Sequence, residues 1–121
     1  MKIRINDSNY DLTNMSIMWD NDFKDYIKED VIDVSNLELN DKYKVINKLF
    51  NNIYNDIVLL GNDGDFLVFG QKIREIDQLQ QFLFEKGNID SAIKYLEDGI
   101  TYMLNFYKKL QNEDVEEKKR W

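Results

Sequence analysis

Carboxylates are the side chains with the most chemistry to offer in this sequence. The stretch DNDFKDYIKEDVIDVSNLELND, residues 20–41, holds eight of them against two lysines. On a helix, Asp22, Asp25 and Glu29 fall on one face, at i, i+3 and i+7. Asp30, Asp33, Glu38 and Asp41 follow downstream. Carboxylates repeated along a surface imitate a line of phosphates and suit the Lys/Arg groove of a nucleic-acid-binding protein. The plainer alternative is a solvated face that keeps a small protein soluble. Trp19 and Phe23 flank the start of the run, with Tyr26 about one helical turn further on. Aromatics beside charge are common in interface hot spots, and more common still in cores. The residues expected to meet a partner are therefore Trp19, Asp20, Asp22, Phe23, Asp25, Tyr26, Glu29, Asp30, Asp33 and Glu38.

Other chemistry fits poorly. The calcium-loop pattern fails at DNDFKD, where Lys24 takes a ligand position and Asp25 replaces the glycine. Asp63 and Asp65 in NDGD could hold a divalent ion only weakly, and the segment reads first as a turn. Gly61, Gly64 and Gly70 have no phosphate-loop spacing and no GKS/T. The pairs Glu97–Asp98 and Glu113–Glu117 could do acid–base work, but nothing in the sequence sets an opposing group beside them. They read as solvated helix surface. With no histidine and no cysteine, the usual activated nucleophiles, thiolate and imidazole metal sites, and disulfides are ruled out. No cofactor and no metal are expected, and an enzyme working by carboxylates alone is the least favoured class.

Charge is unevenly spread. The net charge is −7, and residues 20–41 carry −6 of it. Residues 1–19 balance, and residues 42–121 hold 12 basic and 13 acidic side chains. Direct binding to nucleic acid is disfavoured, because phosphate needs a basic footprint. The imbalance points to a basic protein partner. No apolar run approaches a bilayer span, and MKIRIND lacks the apolar stretch of a secretory signal, so a cytoplasmic protein is expected. Asparagine occurs 14 times, alanine once and proline never, and lysine outnumbers arginine 13 to 3. That usage follows AT-rich codons and suggests a low-GC bacterium, its phage or another mobile element.

The elements that must position these residues are α+β and mostly helical, in one domain over residues 1–121. KIRI, the turn residues NDSN and then YDL predict a β-hairpin, residues 2–5 against 10–12. Residues 15–19 suit a third short strand or a continuation of the second. Asp20 or Asn21 could cap a short helix running to about Glu29. Val31, Ile32 and Val34 favour a strand or an extended linker. Ser35 with Glu38 spells a capping box, while Asn40 or Asp41 could cap the next helix instead. Ile46, Leu49, Phe50, Ile53, Ile57 and Leu60 then recur at helical steps, with Gly61 placed as a C-terminal cap. FLVF, residues 66–69, reads as a buried strand or packed connector. Ile73, Ile76, Leu79 and Leu83 define a second long helix ending near Lys86 and capped by Gly87. Asp90 caps a third, whose stripe is Ile93, Leu96, Ile100, Met103, Tyr107 and Leu110, widened by Tyr95, Tyr102 and Phe106. The short GNID link makes these two an antiparallel αα-hairpin. Residues 112–121 form a charged tail that suits an extension of the last helix.

The opening MKIRINDSNYDL resembles the N-terminal hairpins of many small phage proteins, tail assembly chaperones among them. The resemblance covers a dozen residues and implies a hairpin, with no activity or residue role carried over. Size, charge placement and missing catalytic groups together suggest a phage or mobile-element inhibitor or immunity protein. It would occlude the basic surface of a nuclease or other nucleic-acid-binding defence complex. A phage structural or assembly protein that oligomerises through its helical faces is the alternative.

Overall fold

The computed structural model describes residues 2–5, 8–11, 27–28, 31–58 and 65–119, with the backbone alone at residues 8, 27, 28, 65, 66 and 110–119. The order is β1 (Lys2–Ile5), β2 (Ser8–Asp11), β3 (Ile27–Lys28), β4 (Val31–Asp33), α1 (Leu39–Val58), α2 (Asp65–Glu85) and α3 (Ile89–Lys119). The architecture is α+β and mostly helical, as the sequence predicts.

β1 and β2 form the expected hairpin, but in a tighter register. Lys2 faces Asp11 and Ile5 faces Ser8, so only Asn6 and Asp7 separate the strands and β2 starts two residues earlier than expected. The sheet order is β2-β1-β4-β3. Two antiparallel pairs lie side by side, joined through the parallel β1–β4 ladder. The Val34 N–H donates to the Arg4 carbonyl at 3.0 Å and extends that ladder by one bond.

The short helix expected to run to Glu29 does not hold over its last residues. Ile27 pairs with Ile32 and Lys28 with Val31 in a strand. β4 is rich in β-branched residues and lies beside β1, and its second edge needs partners for its backbone groups. Ile27–Lys28 supply them.

Side chains alternate across the sheet. Ile3, Ile5, Ile32 and Val34 are fully buried on the face toward the helices. They join one continuous core with Ile46, Leu49, Phe50, Ile53 and Ile57 of α1, Phe69, Ile73 and Ile76 of α2, and Ile93, Leu96, Ile100 and Met103 of α3.

α1 starts between the two expected caps, later than a Ser35 cap and earlier than an Asn40 or Asp41 cap would place it. The Lys42 N–H donates to the Glu38 carbonyl at 2.8 Å, which puts Glu38 at the N-cap. Asp41 sits in the first turn, where its charge suits the helix dipole. The Ser35 N–H donates to Asp33 Oδ1 at 2.9 Å, so this turn is organised by Asp33 rather than by a Ser35–Glu38 box. Leu60 and the Gly61 cap lie outside the described residues, as do residues 12–20.

FLVF is not a strand. Residues 66–69 are the first turn of α2. Phe69 is buried, while Leu67 and Val68 are 75% and 66% exposed. A short apolar run does not distinguish strand from helix. Phe69 continues the inward face of Ile73, Ile76 and Gln80 at steps of four, three and four. Leu79, expected inside, is 47% exposed, and the polar Gln80 is buried in its place.

The α2–α3 turn behaves as expected at Gly87. The Asn88 N–H donates to the Leu83 carbonyl at 2.9 Å and the Gly87 N–H to the Phe84 carbonyl at 3.0 Å, with Gly87 at φ 81°. This is a Schellman cap with glycine in the left-handed position. The Ala92 N–H donates to the Asn88 carbonyl, so Asn88 is the N-cap of α3 and Asp90 lies within its first turn.

Stacked rings fix the helix directions. Tyr43 stacks on Phe84 at one end of α1 and Tyr54 on Phe69 at the other, so α1 and α2 are antiparallel. Phe69 also stacks on Phe106 at 4.2 Å and Tyr102 at 5.9 Å, which runs α3 back along α2. Mid-bundle, Gly99 lets α3 approach Phe50 of α1 and Ile76 of α2. A Cβ there would overlap the Phe50 ring and lie 3.2 Å from Ile76 Cγ2.

Candidate functional site

Of the ten residues expected to meet a partner, Trp19, Asp20, Asp22, Phe23, Asp25, Tyr26, Glu29 and Asp30 lie outside the described residues. Asp33 and Glu38 are described, and they differ. Asp33 is half-buried at the end of β4, in register with Arg4 of β1, and its Oδ1 accepts from the Ser35 N–H. That oxygen is engaged in the β4–α1 turn. Glu38 is exposed where α1 begins. The sheet face turned from the helices carries Lys2, Arg4, Asn9, Asp11, Val31 and Asp33, a mixed rather than acidic surface.

The paired carboxylates separate in the same way. Glu97 is half-buried on α3, and burial raises its carboxyl above the ordinary value, with Asp98 adding to the rise and Lys42 opposing it. Asp98 is exposed. Glu113 and Glu117 lie on the last turns of α3, with only their backbone described. Burial also raises the Asp56 carboxyl on α1. Among the described residues no three acidic side chains converge as a cation site would need.

The most buried polar arrangement was not expected from the sequence. The Tyr43 hydroxyl donates to Gln80 Oε1 at 2.6 Å, and Gln80 Nε2 donates to Asp77 Oδ1 at 2.9 Å. Burial raises the Tyr43 phenol above its usual 10.0. Asp77 and Glu85 add to the rise, and the bond to Gln80 opposes it. The network ties α1 to α2. A glutamine on the inward face of a helix is the only signal the sequence offered for it.

A surface depression of about 520 Å³ lies between β2 and α3, lined by Asn9, Tyr10, Asp11, Thr101, Leu104, Asn105 and Lys108. Its polar groups carry both signs of charge and point to no single ligand chemistry. On α3, Ile93, Leu96, Ile100 and Met103 are buried within the chain, so among the described helical faces the exposed apolar residues lie mainly on α2. No family model, no curated protein and no solved structure matches the chain. Among the described residues no helix is long and apolar enough to cross a membrane.

Proposed function

We propose that this is a small acidic, non-enzymatic binding protein of a phage or mobile element. It acts in the bacterial cytoplasm as an inhibitor or immunity protein, occluding a basic, nucleic-acid-binding surface of a target protein. The observation that carries this reading is charge segregation, with −6 of the net −7 falling in residues 20–41. Charge gathered in one stretch steers a basic partner toward one side, whereas evenly scattered charge only solubilises. Support comes also from β3, β4 and the start of α1, which tie the later part of that stretch to the folded body. A phage assembly protein remains the second reading, and the exposed side of α2 favours it.

The test is capture of basic proteins from a low-GC bacterial cytosol at low salt, followed by salt release. Two variants of equal net charge decide the matter. One carries Asp22→Asn, Asp25→Asn and Glu29→Gln. The other carries Glu85→Gln, Asp90→Asn and Asp98→Asn, three exposed sites outside the stretch. The first should associate more slowly while the second binds as wild type. Equal binding by both would reduce the stretch to solubilising surface. Failure to capture any basic protein would move the assembly reading ahead.

A further inference from the structure

The side of α2 turned from the core carries a repeating pattern. Val68, Lys72, Glu75, Leu79, Phe82 and Lys86 follow at steps of four, three, four, three and four. At 100° per residue this is one line along a helix of 21 residues, about 31 Å long, with Lys86 just past its end. It is the heptad spacing of a coiled-coil seam. All six residues are exposed, Val68 at 66%, Phe82 at 54% and Leu79 at 47%. Reading residues 66–69 as a strand hid the pattern, because the seam begins inside them.

The stretch Val68, Lys72, Glu75, Leu79 is complementary to its own reverse. Laid antiparallel on a second copy, Val68 meets Leu79 and Lys72 meets Glu75, each twice about a two-fold axis. These are the alternating layers of an antiparallel helix pair. A parallel pairing would set Lys72 against Lys72 and Glu75 against Glu75. Shifting the antiparallel pairing by one heptad would press Glu75 onto Leu79 and leave both ion pairs unmade. Lys86 Nζ lies 5.5 Å from the Phe82 ring centroid and shields that ring at the rim of the pattern.

We propose that α2 is a self-association surface, through which two copies of this chain pair antiparallel about Lys72 and Glu75. The seam is short, and both copies are acidic. The dimer should therefore be weak, with a dissociation constant of roughly 10 µM to 1 mM.

Sedimentation equilibrium of the full chain across that concentration range tests the pairing. Wild type should move from monomer to dimer. Lys72→Glu and Glu75→Lys should each weaken the dimer by about tenfold or more, because two attractive contacts become repulsive. The double charge swap should restore it, and an equimolar mixture of the two single variants should form mixed dimers. Thermal melts of each variant should match wild type, since both sites are exposed. A wild-type protein that stays monomeric, a Lys72→Glu dimer as strong as wild type, or a double swap that does not recover would each overturn the proposal.

Discussion

Gly99 shows how a single residue decides helix packing. Glycine inside a helix costs about 1 kcal/mol relative to alanine. Here the missing Cβ leaves room for the Phe50 ring and for Ile76. Gly99→Ala should therefore destabilise by about 1–3 kcal/mol despite its better helix propensity, seen as a lower urea midpoint. A higher midpoint would show that Phe50 moves aside freely. Glu97 poses the opposite case. Its carboxyl is raised, chiefly by burial, so the folded state holds the proton more tightly than the unfolded chain does. Its contribution is full below the ordinary value of 4.5 and is lost as pH rises through the higher folded value. Glu97→Gln should accordingly raise the melting temperature at pH 7, with the gain vanishing near pH 4. Melts at both pH values check this, and an equal gain at each would assign the effect to something other than ionisation.

Among the elements, the α2–α3 hairpin depends on one left-handed residue. Gly87 has φ 81°, and nothing lies within 4 Å of where its Cβ would stand. Replacement is therefore penalised through the backbone alone. Gly87→Ala should cost about 1–2 kcal/mol and Gly87→Asn less, because asparagine tolerates this conformation better. Equal losses in the two variants would point to a contact rather than to φ. Ile100, midway along the buried stripe of α3, is fully enclosed. Ile100→Asp should destabilise by about 3–5 kcal/mol, enough to unfold much of a small domain at ambient temperature. A circular dichroism melt within a few degrees of wild type would contradict the burial.

For the whole molecule, the sheet and the helices share one core, so they should melt together. Ile3 lies on β1 yet packs in the same cluster as the helical residues. Ile3→Ala should lower the midpoint of the helical circular dichroism transition by the equivalent of about 2–5 kcal/mol. An unchanged helical transition would mean that the strands unfold on their own.

What the sequence by itself determined is what repeats locally. The hairpin at residues 2–11, the inward stripes of α1 and α3, and the Gly87 turn follow from period-two and period-3.6 patterning and from turn chemistry. So does the segregation of charge, which needs no coordinates. The tertiary structure decided the elements that were locally ambiguous. Residues 66–69 suit strand or helix, and only the stack of Phe69 between Tyr54 and Phe106 commits them to α2. Ile27–Lys28 are too short to declare themselves, and become a strand because β4 has an edge to fill. Asp33 looked like one more surface charge until the β4–α1 turn claimed its oxygen. The seam on α2 was spelled in the sequence throughout. It became legible only once helix α2 was known to begin at Asp65, because a face exists only when every residue on it belongs to the same helix.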